Sequence, residues 1–229
     1  MPQNKIPHHV ACILDGNRRW AKKEGVTLLK AYNAGGKNVE TIARHAGEQG
    51  VKYLSVFALS TENLGRVEND LNSVYSVFRH FLKEYIQSLG KEDVQIRFLG
   101  RLHLLPEDIQ TSCRELMEST KMHQGLILTI CVAYGGREEI MDACKGLLGC
   151  DPEGKNMDTE FAKHLMSQDL PDIDLMIRTG GDQRVSNFML WKLAYAELYF
   201  ADVLWPDFNP AEFDKALEYF ASCRRNFGA

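Results

Sequence analysis

Short runs of apolar residues alternate with longer segments of helical periodicity along the 229-residue chain. The predicted strands are residues 10–14, 53–59, 94–99, 126–133, 175–178 and 198–204. Strands that alternate with helices are typical of a parallel sheet whose faces are covered by helices. The pattern therefore predicts an α/β fold built on one open sheet of six strands.

The same pattern places three helices with particular clarity. The one after the second strand has a wide apolar face with members three and four residues apart, namely Leu71, Val74, Phe78, Phe81, Leu82 and Tyr85. Pro106 opens another helix and Asn209-Pro210 opens the last, because proline fits the first helical turn. The aromatic residues Phe78, Phe81 and Tyr85 of the first of these helices could narrow a ligand tunnel, but core packing is the better explanation for each.

Composition and charge restrict the function without naming it. Hydrophobic residues make up 45% of the chain, and its length suits a single domain covering residues 1–229. The net charge of −4 gives no global reason to bind nucleic acid or an anionic membrane. An anionic ligand must therefore meet a local cluster of basic side chains.

Targeting segments and metal clusters are not predicted. Residues 1–9 are polar, and no apolar run is long enough to span a membrane, so we expect a cytoplasmic protein. The scattered cysteines are Cys12, Cys113, Cys131, Cys144, Cys150 and Cys223. They form no C-x-x-C pair and no zinc spacing with the histidines, so we expect reduced core thiols and no structural metal.

Polar segments follow four of the predicted strands, at the sheet edge where ligands of open α/β folds bind. They are Asp15-Gly16-Asn17-Arg18-Arg19-Trp20, Ser60-Thr61-Glu62-Asn63, Tyr134-Gly135-Gly136-Arg137 and Arg178-Thr179-Gly180-Gly181-Asp182. A carboxylate at Asp15 beside a helix start suits a phosphate bound to Mg²⁺. An ordinary turn explains Asp15-Gly16-Asn17 better on its own, but the Arg18-Arg19 pair favours an anion site.

A second anion site is predicted near the fifth strand. Arg178, Arg184 and Ser186 offer hydrogen-bond donors, and two glycines allow close approach of the backbone to a diphosphate. A solvated glycine turn with surface arginines accounts for this segment equally well. Arg66, six residues after Ser60, would add a cation at the same edge of the sheet. Glu197 is a separate candidate, because a carboxylate among aromatic residues needs a partner or a metal.

Other phosphate-binding classes lack their motifs here. The chain has no G-x-x-x-x-G-K-[ST] sequence, and no G-x-G-x-x-G follows the first strand. Asn17 stands where an aspartyl phosphatase would carry its second carboxylate. These absences argue against a P-loop enzyme, a dinucleotide-binding enzyme and an aspartyl phosphatase.

These motifs resemble those of the cis-prenyltransferases, the family that includes undecaprenyl diphosphate synthase, over essentially the full chain. The matching segments are residues 15–23 (DGNRRWAKK), 60–63 (STEN), 134–137 (YGGR), 177–181 (IRTGG), 194–200 (AYAELYF) and 202–208 (DVLWPDF). The resemblance implies one α/β domain with six largely parallel strands, a homodimer, a deep apolar tunnel and dependence on Mg²⁺.

The resemblance also implies individual roles. Asp15 would hold Mg²⁺, with Glu197 from the neighbouring subunit as a second metal contact. The residues implied to bind the allylic diphosphate are Gly16, Asn17, Arg18, Arg19, Trp20 and Arg66. Those implied to hold isopentenyl diphosphate are Arg178, Arg184 and Ser186. Asn63 and Ser60 would lie near the departing proton, within a substrate-binding segment that includes Thr61 and Glu62.

Several positions depart from the family pattern. Leu28 and Tyr32 replace an arginine and a histidine of chain-elongating members, which removes one cation from the allylic site. Leu64 replaces an aromatic residue, Ala133 an asparagine, and Asn226 a C-terminal arginine. The site implied for isopentenyl diphosphate is unchanged.

The expected activity is condensation of isopentenyl diphosphate with an allylic primer, giving cis-prenyl diphosphates of short to medium length. Tyr32 leaves open an irregular, lavandulyl-type coupling of dimethylallyl units, because relatives of that type show a similar tyrosine. A third hypothesis is a non-catalytic subunit of a heteromeric enzyme, although Asp15-Gly16-Asn17 is retained. We expect no nucleic-acid partner and at most transient membrane contact during product release.

Overall fold

The structure of the protein is a computed structural model that describes residues 6–61, 68–148 and 156–224. Its strands are β1 (His9–Ile13), β2 (Tyr53–Ser60), β3 (Gln95–Leu99), β4 (Ile127–Tyr134), β5 (Leu175–Arg178) and β6 (Glu197–Phe200). They form one sheet in the order β3-β4-β2-β1-β5-β6, and every adjacent pair is parallel. The predicted six-stranded α/β sheet is confirmed.

Helices connect the strands. They are α1 (Asn17–Glu24), α2 (Leu28–Glu48), α3 (Glu68–Phe81), α4 (Glu107–Thr120), α5 (Gly136–Leu147), α6 (Met157–Ala162) and α7 (Pro210–Ser222). A π-helical turn at Leu82–Ile86 and a last turn at Gln87–Leu89 continue α3. Short 3-10 turns lie at Leu102–Leu104 and Trp205–Asp207.

The core lies on both faces of the sheet. All residues of β1 and β4 are buried, as expected for central strands of a parallel sheet. The larger core joins the sheet to α2, α3, α4 and α7 through residues such as Ile42, Phe81 and Phe213. The smaller core, on the other face, packs β1, β4 and β5 against the segment that carries Phe188.

Most predicted elements are found close to their predicted positions. The helices predicted after Pro106 and at Asn209-Pro210 are α4 and α7, and Asn209 Oδ1 accepts a hydrogen bond from the Glu212 N–H at 3.1 Å. The last strand is the exception, because it ends at Phe200 rather than at residue 204. Beyond it, the Gly181 N–H binds the Ala201 carbonyl and Trp205 begins a 3-10 turn, so the chain bends toward β1.

Irregular backbone concentrates at the carboxyl ends of the central strands. The pairing of β2 with β4 shifts register between Phe57 and Ser60, and bulges of this kind re-aim side chains beside functional sites. Ala133, near the end of β4, has φ 49°. Asparagine tolerates this left-handed conformation better than alanine, which is a physical reason for the asparagine of the family pattern. Leu64 and Asn226 lie outside the described residues.

Cysteines are only partly as predicted. Cys12, Cys113 and Cys131 are buried free thiols, and burial raises the pKa of Cys12 to about 12. The prediction of a core position is wrong for Cys144, which is exposed on α5. Cys150 lies outside the described residues. Among the residues that the structure describes, no helix combines the length and the apolarity that a membrane crossing requires.

A buried histidine begins β1, at the sheet end opposite the carboxyl edge. His9 Nδ1 lies 2.9 Å from the Pro171 carbonyl and Nε2 lies 2.8 Å from Ser55 Oγ. Burial lowers the pKa of His9 to about 4, against the opposing influence of the Pro171 carbonyl and Asp174. Lys192 also disfavours its protonation. The native state therefore holds His9 neutral.

We expect the free energy of unfolding to fall as the pH drops from 6.5 toward 4. The unfolded chain protonates His9 near pH 6.5 and the native state only near pH 4, so acid favours unfolding by up to about 3 kcal/mol. Urea unfolding at pH 7.0 and 4.5 measures this decrease in stability. The decrease should be smaller in the His9→Gln variant than in the wild type, by about the contribution of His9. Equal losses in both proteins would show that His9 does not carry the effect.

Candidate active site

A cavity of about 710 Å³ opens at the carboxyl edge of β1, β2 and β5. Its wall includes eight residues predicted to belong to the site, namely Asp15, Gly16, Asn17, Arg18, Arg19, Ser60, Arg178 and Ser186. The two predicted anion sites therefore face one shared space. Trp20, Thr61 and Arg184 lie next to wall residues, whereas Glu62, Asn63 and Arg66 fall outside the described residues.

An ion pair joins the two predicted anion sites directly. Asp15 Oδ2 lies 2.7 Å from Arg178 Nη2, and Asp15 Oδ1 lies 3.0 Å from Arg19 Nη2. The Arg178 side chain is only 4% exposed, whereas that of Asp15 is 28% exposed. A buried guanidinium needs such a partner, so this contact holds the ends of β1 and β5 in a defined relation.

A second carboxylate binds the same arginines. Asp182 Oδ2 lies 2.9 Å from Arg184 Nη2, 3.5 Å from Arg178 Nη2 and 3.6 Å from Arg19 Nη2. The Arg184 hydrogen bond, with support from Arg178, lowers the pKa of Asp182 below its usual range. Asp182 lies within the predicted Arg178–Asp182 motif but was not among the predicted anion ligands, because a carboxylate cannot donate a hydrogen bond to an anion.

The buried arginine keeps further contacts with its own loop. Arg178 Nη1 donates to the Arg184 carbonyl and to Ser186 Oγ, both at 2.6 Å. Within the described part of the chain, Arg178 Nε and Asn17 Oδ1 are buried without a hydrogen-bond partner. Unsatisfied buried polar atoms are rare in proteins and need an explanation. Both belong to residues that line the cavity, so a polar ligand there is one explanation.

Backbone contacts after β1 fix the position of Asp15. The Asp15 carbonyl accepts hydrogen bonds from Thr179 Oγ1 at 2.7 Å and from the Trp205 N–H at 3.0 Å. Gly16 follows with φ 117°, and a side chain there would meet Leu204 Cα at 2.9 Å. Only glycine suits this turn, which starts α1 directly beside the carboxylate.

Trp20 is oriented by a residue that sequence analysis did not single out. Trp20 Nε1 donates to Asp207 Oδ1 at 2.7 Å, and Lys23 Nζ lies 3.1 Å from Asp207 Oδ2. Asp207 belongs to the 3-10 turn after β6. Helix α2 stabilises the same turn, because Asn38 Nδ2 donates hydrogen bonds to the carbonyls of Trp205 and Phe208. Long-range contacts of this kind have no signal in a single sequence.

The other end of the cavity is apolar. Its wall there consists of Val39 on α2, Val74, Val77, Phe78 and Phe81 on α3, Leu59 on β2 and Trp205. Tyr32 of α2 also lines the cavity, whereas Leu28 is 38% exposed and is not among the described wall residues. A charged end and an apolar end in one cavity suit an amphipathic ligand.

Glu197 does not join Asp15 within one chain. Glu197 starts β6 and pairs with Leu175 of β5. Ile13, Arg178 and Phe200 are aligned across β1, β5 and β6, three residues further along the strands. At about 3.3 Å per residue, this places Glu197 about 10 Å back along the sheet from these aligned residues. A shared metal would require Glu197 from another copy of the chain. The described residues contain no group of three or more metal-binding side chains.

Residues 13–228 match a prenyltransferase family model described as "Putative undecaprenyl diphosphate synthase". The isoprenyl transferase of Fusobacterium nucleatum is 40% identical over 228 residues, covering 99% of this chain and 97% of the relative. That of Thermotoga maritima is also 40% identical, over 227 residues that cover 98% of this chain and 97% of the relative.

Two solved structures share the fold over the whole chain. Lavandulyl diphosphate synthase from Lavandula x intermedia, in complex with dimethylallyl diphosphate, superposes with a TM-score of 0.94 at 32% identity. A probable undecaprenyl diphosphate synthase from Campylobacter jejuni superposes with a TM-score of 0.82 at 29% identity. Each comparison covers 99% of this chain and 100% of the other.

We expect the Asp15→Asn variant to bind metal-free pyrophosphate about fivefold more tightly than the wild type. The variant removes a negative charge that competes for Arg178 and Arg19, and one unit charge at about 4 Å contributes roughly 1 kcal/mol in water. Isothermal titration calorimetry in EDTA at low salt measures the change. Asp108→Asn, at an exposed pair with Arg79, is the control. Equal or weaker binding would contradict this account of the cluster.

Proposed function

Because this chain belongs to the undecaprenyl diphosphate synthase family of prenyltransferases, we propose that it condenses isopentenyl diphosphate with an allylic diphosphate primer in the presence of Mg²⁺. The product would be a cis-prenyl diphosphate of short to medium length, made by one catalytic domain spanning residues 1–229. The observation that carries the proposal is the 2.7 Å contact between Asp15 and Arg178, which joins the two loops proposed to bind the diphosphates.

The residues around Asp15 suit a metal-assisted departure of diphosphate. Mg²⁺ takes one or two carboxylates and completes its shell with waters and phosphate oxygens, so Asp15, with its side chain partly exposed, is a sufficient ligand. When bound, the ion would neutralise charge on the allylic diphosphate. Gly16, Asn17, Arg18, Arg19 and Trp20 would hold that diphosphate, and the arginines would stabilise the negative charge that develops as it leaves.

The second substrate would bind against the buried arginine. Arg178, Arg184 and Ser186 would grip the diphosphate of isopentenyl diphosphate, since Arg178 and Ser186 are already in contact and Arg184 lies in the same loop. Ser60 lines the cavity at the end of β2. With Asn63, it would lie near the carbon that loses its proton, within the segment that includes Thr61 and Glu62. Arg66 would assist the allylic side.

The cavity favours a product of limited length. Its volume of about 710 Å³ lies in the range of small-ligand pockets, about 300–1,000 Å³. Phe78 and Phe81 form part of its apolar wall and are themselves buried in the core. Each isoprene unit that enters would gain a few kcal/mol from burial, at roughly 0.8 kcal/mol per methylene, until the aromatic rings stop the growing chain.

Irregular coupling is the second candidate function. Tyr32 lines the cavity where chain-elongating members carry a histidine, and Leu28 supplies no cation. The lavandulyl diphosphate synthase that shares this fold was solved with dimethylallyl diphosphate, and its TM-score is the higher of the two structural comparisons. The bacterial isoprenyl transferases are more similar in sequence, at 40% identity, and favour regular coupling.

We also propose a homodimer. Glu197 begins edge strand β6 with Tyr195 and Leu198 nearby, and these two apolar side chains are 74% and 38% exposed. Exposed apolar side chains beside an unpaired strand edge favour association with a second copy. Association there would let Glu197 serve as a second metal contact for the other subunit.

We expect the purified protein to produce cis-extended diphosphates from Mg²⁺, isopentenyl diphosphate and one or more allylic primers. Asp15→Ala should reduce the rate by 100-fold or more, since it removes the proposed metal ligand. Mass spectrometry and NMR of the products measure chain length and regiochemistry. Absence of product from every primer would contradict regular coupling, and branched products from dimethylallyl diphosphate alone would establish the irregular activity.

We expect Phe81→Ala to shift the products toward longer chains, because it removes an aromatic ring from the apolar wall of the cavity. Mass spectrometry of products formed with excess isopentenyl diphosphate measures the shift. Phe161→Ala is the matched control, since Phe161 is equally buried at 8% or less but packs in a separate small core with Leu165. Similar product lengths in Phe81→Ala and the wild type would exclude Phe81 as the limit.

A further inference from the structure

Two loops at the carboxyl edge of the sheet and the first turn of α5 meet at the side chain of Glu138. Glu138 Oε1 accepts a hydrogen bond from Thr61 Oγ1 at 3.3 Å, and Oε2 accepts one from Asn187 Nδ2 at 3.1 Å. Thr61 follows β2, Glu138 lies in the first turn of α5, and Asn187 belongs to the loop after β5. We call Thr61, Gly135, Glu138 and Asn187 the Glu138 junction.

Gly135 provides the space for this junction. A Cβ atom placed on Gly135 would lie 2.2 Å from Glu138 Oε2, 2.8 Å from Thr61 Oγ1 and 2.9 Å from Asn187 Nδ2. All three neighbours are ends of side chains, so a methyl group here would displace them. The backbone at Gly135 is extended, with φ −155°, which any residue adopts without strain. The glycine is therefore required for the junction rather than for the backbone.

Asn187 connects the junction to the start of α5. Its carbonyl accepts a hydrogen bond from the Gly136 N–H at 2.7 Å, and its Oδ1 accepts one from the Arg137 N–H at 2.8 Å. Ser186 and Asn187 have φ values of 48° and 63°, a left-handed conformation that is unfavourable for serine and that asparagine tolerates better. Conformations of this kind persist only where surrounding contacts hold them, and they often mark functional sites.

The junction is adjacent to the residues proposed to hold isopentenyl diphosphate. Ser186 precedes Asn187, and its Oγ accepts a hydrogen bond from Arg178 at 2.6 Å. Ser60 precedes Thr61 and lines the cavity, as do Ser186 and Asn187. Glu138 thus holds both loops that carry the contacts to one substrate, although it is absent from the described wall of the cavity itself.

Glu139, the next residue, has a different function. It is 1% exposed, and its carboxylate binds the Tyr134 hydroxyl and the Ser167 N–H, both in the core. That arrangement supports the fold on the far side of α5. Glu138 is only partly buried, and its two side-chain partners come from loops at the cavity, so removing it affects the site before it affects the core.

We propose that Glu138 is a positioning residue that sets the affinity for isopentenyl diphosphate by holding the Ser60 and Ser186 loops in register. This proposal rests on the proposed function, because it assigns Arg178, Arg184 and Ser186 to that substrate. The allylic side of the cavity, formed by Asp15 and α1, has no contact with Glu138 among the described residues. Loss of Glu138 should therefore weaken binding of isopentenyl diphosphate more than binding of the allylic primer.

The test compares Glu138→Ala and Glu138→Gln with the wild type in steady-state kinetics. We expect Glu138→Ala to raise KM for isopentenyl diphosphate about tenfold, while KM for the allylic primer and the melting temperature stay close to wild type. Glutamine can accept the Asn187 hydrogen bond and donate to the Thr61 hydroxyl, so Glu138→Gln should restore KM to within about twofold. General destabilisation would not raise one KM selectively.

Two further variants complete the design. Gly135→Ala should reproduce the KM increase with Glu138 still present, because its methyl group displaces the same side chains. Asp142→Ala, one turn along α5 and paired with Arg101, should leave all constants unchanged. Unchanged KM values in both Glu138→Ala and Gly135→Ala, in an active enzyme, would overturn the inference alone. An inactive wild type would instead overturn the proposed function.

Discussion

The ion pair between Asp15 and Arg178 is the contact on which the site depends. Arg178 is almost fully buried at the end of β5, and Asp15 lies just beyond the end of β1. Removing one partner of a buried pair typically costs about 3–5 kcal/mol, because it leaves an uncompensated charge. The fold must therefore keep both strand ends together, and the same requirement keeps the two loops proposed to bind anions within reach of each other.

The acidic side chains do more than complete the fold. Asp15 and Asp182 neutralise much of the charge of Arg19, Arg178 and Arg184 when no substrate is present. Guanidinium groups at this density would repel one another without such partners. In the proposed reaction, a diphosphate would replace carboxylate contacts with contacts of the same geometry, and Asp15 would then be available to a cation. The preorganised donors would need little rearrangement as charge develops on the leaving group.

Sequence patterns predicted the sheet and eight cavity-lining residues because both have local signals. Buried parallel strands are apolar runs, and ligand loops follow them as glycine-rich polar segments. Three contributing residues were not predicted, namely Asn38, Glu138 and Asp207. Each acts through a contact with a residue at least 49 positions away in the sequence. In addition, the carboxylates of Glu138 and Asp207 cannot be distinguished in the sequence from those of ordinary surface residues. The early end of β6 was missed for a related reason, since backbone bonds from Gly181 redirect the chain there.

Chemistry and product identity are encoded by different parts of the cavity. The charged end is built from strand ends and carries the sequence motifs that resemble the family pattern, so it indicates the reaction class. The apolar end is built from side chains of α2 and α3, where Val39, Phe78 and Phe81 belong to the core as much as to the cavity. Core positions accept many apolar residues of similar volume. Under the proposed function, chain length would therefore depend on the shape of the apolar part of the cavity, which no short motif records, and product analysis is the measurement that decides it.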